Sequence, residues 1–311
     1  MATLTARISL KGDEPDGPED YLSTSLGVIF PDDIVNQHGD AEHSLLYASP
    51  KLPKTLLIEL ADPEGETDRR LFSHYLWNAS LLLAELIERD SLDDGEEEKQ
   101  DRGLGGDISF DTRGLHTLEL GAGTALPSIM AGLLGAAGVV VTDYPAPAVM
   151  KTLRENVARN IKPDLAPVGK SSLVTTSILV EGHEWGVFDS SSSAFPSSHA
   201  HLSDRLFVAD CLWMPWQHEN LRRSIGYFLK KTAEARAWVV AGFHTGRAKM
   251  APFFDAKALR EEGGVEVERM WERDCDGVER EWDSEREDDI TERKRWLVVC
   301  VLKRCEGMVD V

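Results

Sequence analysis

No apolar run in this sequence approaches the roughly 20 residues that a helix needs to cross a bilayer, so no membrane association is expected. Cysteine is scarce. Cys211, Cys275, Cys300 and Cys305 form no C-x-x-C pair and no disulfide-like framework, and isolated reduced thiols are expected. No two of these cysteines and the nine histidines fall at ligand-box spacing, so no metal site is expected either. Positive charge is in deficit: 34 Lys and Arg stand against 54 Asp and Glu, a formal net charge of −20. Such a field repels phosphate backbones and no basic patch offsets it, which argues against a nucleic-acid partner. The opening stretch MATLTARISLKGDEPDG has no apolar signal-peptide core and carries acids that transit peptides avoid. The cytoplasm is the expected compartment, with the nucleus open, and a monomer is the expected species.

Hydrophobic residues make up 42% of the 311, enough for a sizeable core. Residues 1–40, rich in Asp, Gly and Pro, read as a mostly irregular lead-in. SLLYASP (44–50) and KTLLIELADP (54–63) are short apolar runs around a Pro-containing turn, the pattern of a β-hairpin. Across 70–90, Leu76, Leu82, Leu83, Leu86 and Ile87 recur at helical spacing and predict an amphipathic helix. Residues 91–107 read as a polar loop with an acidic run at Glu96–Glu98. An N-terminal extension (1–69) thus precedes a main domain (70–311).

In that domain strands and helices alternate. Strands are expected at 115–121, 139–145, 172–180, 205–213 and 237–244, with helices after the first two and over roughly 216–231. A Ser-rich loop fills 189–199, and 264–273 with 295–304 reads as a closing antiparallel hairpin. The order predicts an α/β fold, a Rossmann-like, seven-stranded, mostly parallel sheet with helices on both faces.

Ligands of such sheets bind beyond the carboxyl ends of the strands. The turn after the first strand, Glu119-Leu120-Gly121-Ala122-Gly123-Thr124, carries two glycines that allow a tight turn and close backbone approach, and the next helix offers free N–H groups. Asp143 ends the second strand 20 residues after Gly123, where a carboxylate can accept ribose hydroxyls. A dinucleotide site wants a third glycine where Leu126 stands, followed here by Pro127. The pattern therefore favours S-adenosylmethionine over NAD.

ELGAGTALPSIMAGLLGA, VVVTDYP, SHYLWNA, HEWG and ADCLW, taken together and in order over about 70–304, resemble the family 16 methyltransferases, and within them the fungal nicotinamide N-methyltransferase-like proteins. The resemblance implies a class I fold, S-adenosylmethionine as cofactor, and an amine acceptor. That acceptor is a lysine or N-terminal amine of a protein, elongation factor 1-alpha among the candidates, or nicotinamide or a related pyridine. It further implies cofactor contacts at Trp77, Gly121, Ala122, Gly123, Asp143, Trp185 and Ala209. Trp77 and Trp185 also suit plain packing, and Ala209 is a small strand residue in its own right.

One corner departs from the pattern. Many protein-lysine members carry Asp-x-x-Tyr at the fourth strand, and this chain reads Asp210-Cys211-Leu212-Trp213. Asp210 can orient an amine and Trp213 can wall it, but an indole supplies no phenolic oxygen. Phe243 and His244, ending the fifth strand, are expected in the same pocket. A non-catalytic module that keeps the fold to bind a partner is the remaining alternative, disfavoured by the intact glycine loop and Asp143.

Overall fold

The computed structural model describes residues 3–12, 36–39, 43–61, 75–92, 103–189 and 193–309. The expected hairpin forms. In β3 (Leu45–Tyr47) and β4 (Leu56–Ile58) alternate residues Leu45, Tyr47, Leu56 and Ile58 are buried, so one face of the hairpin is core. A third strand, β1 (Ile8–Leu10), pairs with β3, Ile8 opposite Tyr47. It lies in the stretch read as irregular, because three residues are too few to show a period. β2 (Gln37–His38) pairs antiparallel with β5 (Leu76–Trp77).

Helix α1 (Asn78–Leu92) begins later than its periodicity predicts, since Leu76 and Trp77 are held extended by β2; residues 70–74 and Glu96–Glu98 lie outside the described residues. The helix is more enclosed than an amphipathic one. Leu81, Leu82, Leu83, Leu86 and Ile87 are all buried, with the small sheet and the large sheet both contributing to the core around them. Glu88 is buried too, accepting a hydrogen bond from Ser49, and Asp90 accepts from the Phe110 N–H at 2.7 Å.

The large sheet has the expected parallel strands: β6 (His116–Leu120), β7 (Gly138–Asp143), β8 (Ile178–Gly182), β9 (Arg205–Ala209) and β10 (Arg236–Gly242). The closing hairpin is β11 (Val265–Asp274) with β13 (Trp296–Arg304), and β13 pairs antiparallel with β10. An eighth strand, β12 (Glu279–Glu281), lines the edge against β11, giving the spatial order β12-β11-β13-β10-β9-β6-β7-β8. β12 escapes sequence reading because charge rather than apolar alternation holds it: Arg280 donates to Glu272 at 2.7 Å, and Glu279 accepts the Leu104 N–H at 2.6 Å.

Helices α2 (Leu126–Leu133), α3 (Pro147–Asn160), α4 (Phe195–His199) and α5 (His218–Phe228) complete the layers. α4 occupies the Ser-rich stretch read as loop, and β8 starts six residues later than expected, after a short 3-10 turn at Ser171–Leu173. Hydrophobic clusters cover both faces of the sheet, one containing α1, α2 and the hairpin, the other α5. The chain enters the sheet at β6, builds outward through β7 and β8, and returns to the other side of β6 with β9. The switch point therefore lies between the ends of β6 and β9.

The hairpin gives a paired test of what its burial contributes. The Tyr47 hydroxyl is buried without a hydrogen-bond partner among the described residues. Tyr47→Phe removes a desolvated polar group and should be neutral or stabilising by about 1 kcal/mol, whereas Leu56→Ala, which opens a core cavity, should cost about 2–5 kcal/mol. Urea unfolding midpoints of both variants measure the difference.

Candidate functional site

The turn leaving β6 is built by positive φ. Gly121 (+64°) and Gly123 (+54°) adopt backbone conformations that side chains resist. A Cβ on Gly121 would stand 2.8 Å from both Cys211 Sγ and Trp185 Cζ2, while Gly123 faces open space. Asp143 holds this turn from the neighbouring strand. One of its oxygens accepts the Gly123 N–H and the other the Tyr144 N–H, each at 2.7 Å. Burial pushes its carboxyl up to about 6 against the opposing pull of those two donors.

Glu119 lies beneath the turn and is fully buried, accepting the Ser128 N–H at 3.1 Å on the first turn of α2. Desolvation raises its carboxyl to about 8, and the Asp143 charge pushes the same way. Trp185 is brought over Gly121 by a turn fastened to α5: the Ser224 hydroxyl accepts the Gly186 N–H at 2.9 Å and meets His183 Nε2 at 3.3 Å. His183 stays neutral, since burial brings it down to about 4.

At the end of β9, Asp210 adopts φ +59°, an uncommon conformation for a residue with a Cβ. Its Oδ1 accepts the Gly242 N–H at 3.0 Å and its Oδ2 lies 3.9 Å from His244 Nδ1. Burial raises the Asp210 carboxyl, and the His244 charge opposes that rise. The His244 ring stacks on Trp77, centroids 4.6 Å apart, and its buried Nδ1 has no hydrogen-bond partner among the described residues. Phe243 does not join them. It is fully buried in the cluster on the other face, under the Arg247 guanidinium at 4.0 Å and stacked on Trp282. Both residues lie past the end of β10 at Gly242, where the chain bends and turns His244 toward Asp210.

Trp77, Gly121, Ala122, Gly123, Asp143, Trp185, Ala209, Asp210 and Trp213 all line one cavity of about 890 Å³, its open mouth included. Sequence reasoning did not single out Tyr75, Thr124, Tyr144, Cys211 or Gln217, which line it as well. Thr124, Tyr144 and Cys211 are adjacent to a named residue and Tyr75 is two from Trp77, so proximity in sequence was the available signal for these; Gln217, four residues past Trp213, carried none. Among the described residues no Lys or Arg lines the cavity, while Asp143, Glu184 and Asp210 do. It is an anionic, aromatic-walled space at the switch point, suited to cationic or amine-bearing ligands. Among the described residues no group of His, Cys, Asp and Glu is arranged to hold a metal ion.

The Glu119 carboxyl makes stability depend on pH. Folded, it keeps its proton up to about 8; unfolded, it releases it at the ordinary 4.5. Its stabilising contribution is complete below the lower value and is lost as pH rises through the upper one. Glu119→Gln should flatten that decline in ligand-free protein, read from urea midpoints measured across the interval.

A family model described as lysine methyltransferase matches residues 65–258. A protein N-terminal and lysine N-methyltransferase of Gibberella zeae is 30% identical over 210 residues, covering 66% of this chain and 70% of its own. One of the same description from Schizosaccharomyces pombe is 28% identical, covering 65% and 68%. Among solved structures, a Streptococcus mutans protein described as a SAM-dependent methyltransferase superposes with a TM-score of 0.51 at 11% identity. It covers 92% of this chain, which spans 65% of that structure's length, a likeness of fold alone. The chain belongs to the lysine methyltransferase family, S-adenosylmethionine-dependent enzymes built on this sheet.

Proposed function

We propose that this enzyme methylates a protein amine, a lysine or an N-terminal α-amine, with elongation factor 1-alpha the first acceptor to test. One observation carries the reading: the buried Asp210 carboxylate lies in a cavity walled by Trp213 and, among the described residues, free of lining Lys or Arg, which favours an amine. The relatives' descriptions as protein N-terminal and lysine methyltransferases agree with it. A formal charge of −20 keeps copies apart, in favour of a monomer, and four buried free cysteines suit the reducing cytoplasm.

The residues fit the cofactor. Gly121 sits where any side chain would strike Trp185, and Gly123 opens onto free space that a ligand can approach. Asp143 would accept ribose hydroxyls with the lone pairs its two backbone donors leave free. Ala122 would share the close approach of the glycine turn, Trp77 and Trp185 would wall the nucleoside, and Ala209 would let it pass over β9. S-adenosylmethionine, when bound, supplies an electrophilic methyl group. Everything else is the work of the chain. An amine must arrive neutral, and desolvation against Trp213 lowers the cost of losing its proton. Asp210 accepts an N–H of that amine and fixes where its lone pair points. Such alignment can contribute roughly 7–11 kcal/mol to lowering the barrier.

Labelled S-adenosylmethionine and fungal lysate, with and without nicotinamide, test the acceptor. Label in protein, undiminished by nicotinamide, is expected; label in nicotinamide alone would sink the proposal. Asp143→Ala should weaken S-adenosylhomocysteine binding by about 1–3 kcal/mol in calorimetry. In the unaltered enzyme, affinity should fall as pH drops through about 6, where the Asp143 carboxyl takes up its proton. Asp210→Asn keeps a residue that tolerates positive φ, so the variant should fold. It and Trp213→Ala should each reduce turnover, about a hundredfold if the amine loses alignment, with cofactor affinity nearly unchanged.

A further inference from the structure

Trp216 is 72% exposed, a large aromatic surface left in water. It sits in the 3-10 turn Pro215–Gln217, whose proline fixes one backbone angle and so helps set where the indole points. On either side in sequence Trp213, Met214 and Gln217 line the cavity, so Trp216 stands at its rim. Its ring meets that of Trp213 edge to face, centroids 6.4 Å apart at 89°. Tyr144, 42% exposed and also lining the cavity, adds to the rim's exposed aromatic surface.

The protein places guanidinium groups over aromatic faces elsewhere: Arg205, Arg222, Arg223, Arg247 and Arg280 each lie within 5.7 Å of a ring centroid. Among the described residues none covers Trp216. The cavity wall is also short of positive charge: it includes the exposed Glu184 and, among the described residues, no Lys or Arg. We propose that Trp216 and Trp213 form a docking platform for a basic polypeptide segment, a Lys or Arg next to the methylated amine lying on the Trp216 indole. This rests on the protein-amine reading above and extends it to the acceptor's neighbouring residues. A cation on an indole face is attracted by the ring quadrupole, and the negative rim adds to that attraction. An anionic lipid surface or a second copy of this chain, at −20, brings charge of the wrong sign.

Two synthetic peptides test the platform, sharing a free N-terminal amine and carrying either lysines or glutamates at the following positions. The unaltered enzyme should show the higher kcat/KM on the lysine peptide. Trp216→Ala should raise KM for that peptide about two- to fivefold, the scale of an exposed cation–π contact. kcat at saturation, S-adenosylhomocysteine affinity and melting temperature should hold, and Trp216→Phe should recover part of the loss. An unchanged KM in Trp216→Ala, or equal handling of both peptides by the unaltered enzyme, overturns the platform. So does a dimer in sedimentation that Trp216→Ala dissolves without altering KM. Methylation of nicotinamide but of neither peptide removes the protein-amine reading itself, a result distinct from those three.

Discussion

Three carboxyl groups buried at the ends of adjacent parallel strands govern the cavity: Glu119 on β6, Asp143 on β7 and Asp210 after β9. Glu119 is out of reach of solvent, Asp143 and Asp210 keep only a small face on the cavity, and burial raises the pKa of each. Backbone N–H groups compensate in part, and every compensating bond also builds the site. Asp143 fixes the glycine turn through Gly123, Glu119 anchors the start of α2 through Ser128, and Asp210 binds β9 to β10 through Gly242. The charge that costs stability in the empty protein is the charge a sulfonium-bearing, ammonium-bearing ligand would neutralise.

A second buried network secures the acceptor side from behind. Arg247, a few residues past His244, donates to Glu272 at 2.6 Å and to Asp288 at 2.9 Å, and Arg280 reaches both of those acids. Ion pairs this deep are weak evidence of stability, because apolar replacements often do as well. Their effect here is geometric. They fix the loop after β10 from the edge of the sheet, so that His244 meets Trp77 and approaches Asp210. Trp77 is thereby held by β2 on one side and by the far end of the chain on the other.

The glycine turn, Asp143 and Asp210 were legible because each is a strand-end residue, and strand ends follow from local alternation of apolar and polar residues. Trp77 was legible only through resemblance, since what extends it is pairing with Gln37, forty residues away. His244 could be assigned to the correct edge by topology, and Phe243 with it; both lie past the end of β10 at Gly242, and the bend there, which no periodicity announces, sends His244 toward Asp210 and Phe243 into the core. The order of the sheet was readable, but not β1 or β12. The first is too short for periodicity, and the second reads Glu-Arg-Glu, held by ion pairs to Arg273, Glu272 and Asp288 and by a hydrogen bond from the remote Leu104 N–H.

β12 has a bearing on the protein's life in a crowded solution. β11 is ten residues long, and without a neighbour its outer side would present a row of unpaired amides and carbonyls ready to accept a strand from another molecule. β12 occupies part of that row and presents ionised side chains outward. An incoming strand would have to displace the pairs of Arg280 with Glu272 and Asp288 before it could bond. The charged hem thus serves solubility as well as shape, and weakening it would first show as self-association.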